Sequence, residues 1–149
     1  MDLKEAKGLD SGNRHPWELA RVDALRRILA GTIKDGLRVL DLGCGDGFVA
    51  RELFEGMSVP VVAVDSNFTA SDLSILSGQS RNIKYFKALE GSADFDLVLL
   101  LDVVEHVDDD SGFLTDLVEK RLAKGGRVLI TVPAFNAFFS KHDAFLGHR

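Results

Sequence analysis

The sequence contains little cysteine and no excess of basic residues, and each shortage excludes a class of function. A single cysteine, Cys44, excludes an internal disulfide and any metal site built from several cysteines. The chain has 18 Lys and Arg residues against 23 Asp and Glu residues, which gives a formal net charge of −5. Proteins that bind a nucleic-acid backbone carry a basic excess, so this charge balance argues against nucleic acid as a partner.

Long apolar runs are also missing. No stretch approaches the roughly 20 apolar residues of a membrane-spanning helix, and residues 1–10 alternate charges where a signal peptide would be apolar. The four histidines show no spacing typical of a metal site. With 149 residues, 46% of them hydrophobic, the chain has the size and composition of one domain with an ordinary core. We expect a cytoplasmic protein with no transmembrane segment and no bound metal.

After residue 36 the sequence alternates between strand patterns and helix patterns. Predicted strands lie at 37–42, 59–64, 83–86, 95–101 and 127–132. The run at 59–64 is nearly all β-branched, as buried parallel strands are, and the run at 95–101 is continuously apolar. Helical spacing is found between the predicted strands at 48–54, 67–76 and 113–122. We expect the last helix to be capped by Asp110 or Ser111 and to end at Gly125 and Gly126. The alternation predicts an α/β, Rossmann-like fold, with helices on both faces of a mostly parallel sheet of about five strands.

The N-terminal part is predicted to be a polar arm, residues 1–15, followed by a helix that opens the main domain, residues 16–149. Pro16 suits the first turn of a helix. The apolar residues expected to form the buried face of this helix are Ala20, Ala24, Leu25, Ile28 and Leu29. A solvated face on the other side is expected to carry Arg21, Arg26 and Arg27.

The most informative segment runs from Val39 to Phe48, where a strand leads directly into a turn with three glycines and then a helix. Glycine permits positive φ and lets the backbone approach a ligand closely. Exposed N–H groups at the start of a helix favour an anionic group such as a carboxylate. About 20 residues beyond the glycines, where such folds place an acid on ribose hydroxyls, Asp65 closes the second strand. This combination predicts a site for a ligand that contains a nucleoside.

The residues of the turn distinguish between candidate ligands. A dinucleotide fold expects G-x-G-x-x-G, but Phe48 occupies the third glycine position, and the Gly-Lys-Ser/Thr ending of a P-loop is absent. Asp41 and Asp46 flank the turn, an unfavourable place for a pyrophosphate. Acids there suit a ligand that carries positive charge as well as a carboxylate. S-adenosylmethionine therefore fits better than NAD, and an NAD-dependent oxidoreductase is disfavoured.

Several motifs resemble those of class I S-adenosylmethionine-dependent methyltransferases of the small-molecule type. They are the glycine turn 41–47, Asp65, the segment 95–107 and the segment 125–133, in order and at suitable spacing. The closing segment 140–149 is similar to one group of these enzymes with a broad substrate range. The family fold has two further antiparallel strands after the fifth. The resemblance thus implies a chain that ends after strand five, truncated at its C-terminus.

The resemblance also implies roles for individual residues. The glycine loop would hold the methionine end of the cofactor, with cofactor-binding residues Asp41, Gly43, Cys44, Gly45, Asp46 and Gly47. Asp65 would bind the ribose hydroxyls, Asn67 and Phe68 would approach the adenosine, and Asp102 would line the pocket near the methyl group. Residues 87–90 are compressed and lack a clear counterpart of the acid that contacts adenine in the family.

Among the histidines, His106 is the candidate catalytic base. It lies four residues beyond Asp102, past the carboxyl end of strand four, and imidazole titrates near neutral pH. The alternative is that His106 only packs against or caps the turn before the next helix. His142 and His148 could form a substrate wall, and His15 and Trp17 could approach the cleft, although ordinary surface or packing roles are the main expectation for all four. Cys44 is expected to be a small filler in the loop and not a nucleophile.

The leading functional expectation is transfer of a methyl group to an oxygen or carbon nucleophile on a lipid, quinone, sugar or other metabolite. The segment Thr131–Ala134 is not the Asn/Asp-Pro-Pro-aromatic signature that would suggest methylation of an amino group. The alternative is a non-catalytic S-adenosylmethionine-binding or interaction module derived from a methyltransferase. Strand five would then be an exposed edge, through which a homo-oligomer could form.

Overall fold

A computed structural model describes residues 14–91 and 93–133 of the chain. The helices are α1 (Pro16–Leu29), α2 (Phe48–Phe54), α3 (Ala70–Ser77) and α4 (Asp110–Arg121). The strands are β1 (Val39–Leu42), β2 (Val61–Val64), β3 (Ile83–Phe86), β4 (Phe95–Leu101) and β5 (Leu122–Thr131). A short 3-10 turn, Val104–His106, follows β4. The predicted arm before residue 14, and the candidates His142 and His148, lie outside the described residues.

The five strands form one parallel sheet in the order β3-β2-β1-β4-β5. Val39 of β1 pairs with Val61 of β2 on one side and with Leu97 of β4 on the other. The strand order reverses between β1 and β4, so the crossovers diverge there and leave a crevice at the carboxyl ends of these strands. The predicted α/β, Rossmann-like sheet is confirmed.

Side chains from both faces of the sheet enter the core, because alternate residues of a strand point to opposite faces. Leu97 and Leu99 of β4 pack in the cluster that includes apolar residues of α1, α2 and α3. Val98 and Leu100 pack in a second cluster that contains Leu117 of α4. Helices therefore cover both faces, as predicted.

The buried face of α1 differs from the predicted one. Val22, Leu25 and Leu29 are almost completely buried, together with the acid Glu18. Ile28 is 61% exposed. The row at positions 18, 22, 25 and 29 follows the helical period and packs on the sheet. The predicted row mixed this face with a second apolar face, which lies toward the crevice described below.

Two helix starts also differ from the prediction by a few residues. The third helix begins at Ala70 because Thr69 and Asp72 form a capping box, while the N–H of Asn67 donates to Asp65 Oδ1 at 2.9 Å. The fourth helix is capped by Asp109, whose Oδ1 accepts from the N–H of Gly112 at 2.9 Å. Competing acids close together in the sequence made the choice of cap ambiguous.

The predicted end of the fourth helix was wrong. The helix ends at Arg121, and β5 starts at Leu122, which pairs with Phe95 of β4. The register then shifts, so that Arg127 pairs with Leu97. Gly125, at φ 81°, lies inside this irregular segment and provides the left-handed residue that a bulge requires. The glycines therefore bend a strand instead of ending a helix.

Candidate cofactor site

A cleft of about 1180 Å³ opens at the carboxyl ends of β1, β2, β4 and β5. Its walls are α1, the glycine loop after β1, the residues after β2 and β3, and the turn after β4. The predicted site residues that line it are Gly43, Cys44, Asp46, Asp65, Asn67, Asp102 and His106. Four other predicted residues, Asp41, Gly45, Gly47 and Phe68, are buried and are not among the lining residues. The structure therefore brings most of the predicted set to one place, at the switch point of the sheet.

The glycine loop is held in place by its own backbone hydrogen bonds. The N–H groups of Gly43 and Cys44 both donate to the carbonyl oxygen of Val64, at 2.8 and 3.0 Å. The N–H of Gly45 donates to Asp65 Oδ2 at 2.9 Å. The sequence predicted that exposed N–H groups at the start of the helix would favour an anionic group; these three N–H groups of the loop instead donate within the protein. The loop backbone is therefore held to the end of β2, and the loop residue Asp46 lines the cleft.

Close packing explains why glycine is needed at Gly47. This residue has φ 72°, a backbone conformation that side chains disfavour. A Cβ atom built on it would lie 2.6 Å from a ring carbon of Tyr85, at the end of the neighbouring strand β3. The glycine thus serves the contact between the loop and the sheet, in addition to any approach to a ligand.

Asp65 connects the loop to the end of β2. It is 8% exposed, and each of its carboxylate oxygens accepts one backbone N–H, from Gly45 and from Asn67. A carboxylate oxygen has two lone pairs, so each oxygen retains acceptor capacity. Since Asp65 lines the cleft, this capacity is available to hydroxyl donors of a ligand.

Asp41, at the base of the loop, is in a different environment. It is 1% exposed, and neither carboxylate oxygen has a hydrogen-bond partner among the described residues. Burial raises the pKa of Asp41 to about 7; the negative charge of Asp65 adds to the rise, and Arg21 opposes it. Near neutral pH this side chain is therefore balanced between its neutral and charged forms.

Cys44 is buried beside the two acids. Burial raises the pKa of the Cys44 thiol well above its ordinary range, and the negative charges of Asp41 and Asp65 add to the rise. The thiol therefore stays protonated at neutral pH, whereas a nucleophilic cysteine needs the thiolate. This agrees with its expected role as a filler.

Asp46 contacts both the start of α2 and Arg14, a residue of the predicted N-terminal arm. Its Oδ1 accepts from the N–H of Phe48 at 3.0 Å, and its Oδ2 pairs with the guanidinium of Arg14. The same guanidinium lies 4.3 Å from the centre of the Phe48 ring and pairs with Glu18 at 3.1 Å. The residues just before α1 are thereby attached to the glycine loop.

Arg21 is not on a solvated face, and that expectation is corrected. Its side chain is 11% exposed, and its Nη1 lies 2.7 Å from Asp102 Oδ2. Thr131, the last residue of β5, accepts a hydrogen bond from Arg21 Nη2 at 3.1 Å and donates one to Asp102 Oδ1 at 2.9 Å. We call these three residues the Arg21–Asp102–Thr131 cluster. Each of its members lines the cleft.

The structure places some of the aromatic and histidine candidates at the cleft and others away from it. His106 is exposed, lies in the 3-10 turn after β4 and lines the cleft. Trp17 lines the cleft and is 64% exposed. His15 instead caps α1, because its Nδ1 accepts from the N–H of Trp17 at 3.2 Å. Phe68 is 1% exposed and packs edge-to-face on Tyr85 in the core.

The compressed segment after β3 also reaches the cleft, through Lys87, Ala88 and Leu89. Among the lining residues the acids are Glu18, Asp46, Asp65 and Asp102, against the two cations Arg21 and Lys87. The cleft is therefore acidic and suits a ligand with positive charge. Within residues 14–91 and 93–133, no helix is both long and apolar enough to cross a membrane.

A parallel sheet with a glycine loop tied to an acid at its switch point defines a cofactor-binding α/β domain of the nucleotide-binding type. A family model described as a methyltransferase domain matches residues 14–146. The chain belongs to this family, the class I methyltransferases that the motifs resemble.

Relatives and solved structures agree with this assignment. The ubiquinone biosynthesis O-methyltransferase of Rickettsia bellii is 33% identical over 103 residues, which cover 64% of this chain and 42% of that protein. The mitochondrial enzyme of the same name from Schizosaccharomyces pombe is 29% identical over 137 residues, 83% of this chain and 49% of that protein. The chain thus spans less than half the length of these relatives.

The fold is similar to that of N-methyltransferase NodS from Bradyrhizobium japonicum, solved in complex with S-adenosyl-L-homocysteine. The TM-score is 0.64 at 17% identity, over 85% of this chain and 68% of that chain. At this identity the likeness establishes the fold alone.

Two lining residues, Arg21 and Thr131, were not predicted as site residues, and neither was Arg14, which pairs with the lining residues Glu18 and Asp46. A signal for Arg21 was present, because Trp17, Arg21, Ala24 and Ile28 follow each other at helical spacing. An arginine within an apolar row faces the same side as that row. No comparable pattern exists for Arg14, which precedes the helix.

Proposed function

We propose that this protein is an enzyme that transfers a methyl group from S-adenosylmethionine to a small-molecule acceptor. One observation carries the proposal: the glycine loop is bonded to Asp65, through the N–H of Gly45, at the switch point of a methyltransferase-family sheet. That arrangement joins the part of the site that faces a methionine tail to the part that faces a ribose.

The charges of the cleft fit this cofactor. S-adenosylmethionine carries an ammonium group and a sulfonium, and the cleft is lined by more acids than cations. Asp41 adds a buried carboxyl group, whose two oxygens have no hydrogen-bond partner within the described residues, near the base of the loop. A cation placed near Asp41 would favour its charged form and lower its pKa. A pyrophosphate, in contrast, would meet only repulsion from these acids.

Each predicted residue has a place in the proposal. Asp65 accepts hydrogen bonds from the ribose hydroxyls, and Asn67 borders the adenosine, with Phe68 packed behind it. Asp102 lies near the methyl group. The methionine end is held by the loop and its flanking acids, Asp41, Gly43, Cys44, Gly45, Asp46 and Gly47.

The chain has to align an acceptor and exclude water. Bound in the cleft, S-adenosylmethionine supplies an electrophilic methyl group. The apolar face of α1, with Trp17, Ala24 and Ile28, forms the wall beside which an acceptor lies. His106, on the turn after β4, is positioned to take the proton that a hydroxyl acceptor loses.

An oxygen acceptor on a quinone or similar metabolite is favoured, since curated relatives are named ubiquinone biosynthesis O-methyltransferases. The alternative, a non-catalytic S-adenosylmethionine-binding or interaction module, is favoured by none of the comparisons. The cytoplasmic location, the disfavoured binding of nucleic acid and a homo-oligomer through the edge of β5 stay predictions.

Calorimetric titration with S-adenosylhomocysteine and with NADH tests the cofactor assignment. We expect binding of the former only. Asp65→Asn should weaken that binding by about ten- to a hundredfold, because hydrogen bonds to a charged group contribute about 1.5–3 kcal/mol. Asp116→Asn, an exposed acid on α4, serves as the control and should bind like the wild type. Preference for NADH would refute the proposed function, and unchanged affinity in Asp65→Asn would refute the ribose assignment alone.

The proposed base is tested by methyl transfer to phenolic acceptors. His106→Ala should lower kcat by about a hundredfold or more, the usual contribution of a general base. Its affinity for S-adenosylhomocysteine should stay within twofold of the wild type. His15→Ala, which removes a helix cap, is the control histidine. A His106→Ala variant with normal kcat would leave His106 with a packing role.

A further inference from the structure

We infer that Arg21 is a positioning residue for methyl transfer: with Thr131, it fixes the Asp102 carboxylate at the rim of the cofactor cleft. The inference rests on the proposed function. It starts from the Arg21–Asp102–Thr131 cluster, in which each residue contacts the other two. The cluster joins α1 to the ends of β4 and β5.

The contacts satisfy both oxygens of Asp102 from different directions. Oδ2 lies 2.7 Å from Arg21 Nη1, and Oδ1 accepts from the hydroxyl of Thr131 at 2.9 Å. The hydroxyl group of Thr131 can donate to Asp102 while it accepts from Arg21 Nη2, since it has one donor and two lone pairs. With both oxygens anchored, the carboxylate has one orientation toward the cleft.

The backbone of Asp102 is constrained as well. Asp102 has φ 57°, a left-handed conformation that is uncommon for residues other than glycine. Its N–H donates to the carbonyl oxygen of Thr131 at 3.0 Å, which holds the end of β4 on β5. Non-glycine residues persist in such conformations when the surrounding contacts enforce them, and such residues are concentrated at functional sites.

The side chains of this ion pair are less exposed than those of an ordinary surface pair formed by the same helix. The side chain of Arg21 is 11% exposed and that of Asp102 is 29% exposed, whereas the Arg26–Glu52 pair is 51% and 42% exposed. Removal of one partner from a shielded pair leaves an uncompensated charge, and the remaining group reorients. Loss of Arg21 would thus free Asp102 to turn away from the place where the methyl donor binds.

A second consequence concerns α1. Trp17, Ala24 and Ile28 line the cleft from the same helix that carries Arg21. The contact of Arg21 with the strand ends therefore sets the position of this apolar wall relative to Asp102. Acceptor alignment and cofactor orientation depend on the same arginine.

The test is a double-mutant cycle with Arg21→Gln and Asp102→Asn; Asn tolerates the left-handed backbone of residue 102. The affinity for S-adenosylhomocysteine is measured by calorimetry, and kcat and KM for methyl transfer are measured separately. We expect each single variant to lose fivefold or more in affinity and tenfold or more in kcat/KM. The affinity and kcat/KM of the double variant should lie within twofold of those of the more impaired single variant, because Arg21 acts through Asp102.

Three further variants separate positioning from a general structural effect. Arg21→Lys keeps the charge but not the two-pronged contact, so it should recover part of the loss. Thr131→Val keeps the shape of the side chain and removes its hydroxyl group. It should therefore show a smaller loss of affinity and of kcat/KM than Arg21→Gln. Arg26→Gln, on the same helix, should bind and turn over like the wild type.

The outcomes are decisive for each claim. Wild-type affinity in Arg21→Gln, or losses that add in the double variant, would overturn the positioning role while the proposed function stands. If the wild-type chain itself does not bind S-adenosylhomocysteine, the proposed function fails, and this inference fails with it.

Discussion

At the scale of single residues, three acids near one loop differ because their surroundings differ. Asp65 accepts two backbone N–H groups, from Gly45 and from Asn67. Asp102 is compensated by the guanidinium of Arg21 at 2.7 Å. Asp41 has no hydrogen-bond partner among residues 14–91 and 93–133, and burial raises its pKa to about 7. The same kind of side chain is thus hydrogen-bonded to the backbone at position 65, ion-paired at position 102 and near its pKa at neutral pH at position 41.

Asp41 leads to a prediction about stability and pH. Its pKa is about 7 in the folded protein against an ordinary value of 3.8. Between these values the folded state keeps a proton that the unfolded state has lost, so stability attributable to Asp41 falls as pH rises and levels off above about 7. At about 1.4 kcal/mol per pKa unit, the full fall is about 4 kcal/mol.

Urea unfolding of the ligand-free wild type and of Asp41→Asn between pH 4 and pH 8 checks this prediction. As pH rises, the free energy of unfolding of the wild type should fall relative to that of the variant, since Asn does not titrate. Asp116→Asn, an exposed acid, should follow the wild-type profile. Parallel profiles for the wild type and Asp41→Asn would contradict the assigned ionisation.

At the scale of elements, one side of α1 packs in the core and the other side lines the cleft. Val22, Leu25 and Leu29 pack into the core on one face of the sheet. Trp17, Arg21 and further residues along the other side line the cleft. A helix with two apolar rows has a blurred apolar periodicity, which explains why the predicted face mixed both rows.

The two sides of α1 predict different effects of truncation. Leu29→Ala should lower the free energy of unfolding by about 2–5 kcal/mol, because Leu29 is 3% exposed and its removal leaves a cavity. Leu19→Ala on the same helix, where Leu19 is 53% exposed, should change it by less than about 0.5 kcal/mol. Chemical denaturation of both variants measures the difference, and similar values would mean that α1 is not docked on the sheet.

The boundary between α4 and β5 illustrates a limit of local patterns. Leu122 fits the helical spacing of Leu114 and Val118, yet it pairs with Phe95 in the sheet. Parallel pairing with β4 supplies backbone hydrogen bonds that an isolated helix end lacks, so the tertiary partner decides the boundary. Gly125 then absorbs the irregular register.

At the scale of the whole molecule, the order β3-β2-β1-β4-β5 determines where the chemistry lies. All strands are parallel, so their carboxyl ends, with Asp65, Asp102 and Thr131, meet at one edge of the sheet. The switch point between β1 and β4 leaves room for the cleft there. Chemical groups more than 60 residues apart in the sequence become one site.

Much of the fold and of the candidate site was predictable from local sequence. The bounds of β3 and β4 agree with the prediction. For β4 the reason is its long apolar run, which is typical of a buried strand. The glycine loop and Asp65 followed from the spacing between strand ends. The charge of the loop also followed, since acids next to glycines are visible in the sequence.

The contacts of the arginines were not predictable in the same way. Arg14 reaches Asp46 over 32 residues, and Arg21 reaches Thr131 over 110 residues. No local periodicity encodes a partner at such a distance. Only the packing of α1 across the strand ends brings these side chains together.

The sequence by itself therefore determined the class of fold, the position of the glycine loop and the acidic character of the site, because each depends on residues that are close in the chain. The tertiary structure decided which acids are paired, which face of α1 lines the cleft and where β5 begins. These depend on burial and on partners from distant segments, and burial sets the ionisation of Asp41 and the pairing of Asp102 with Arg21.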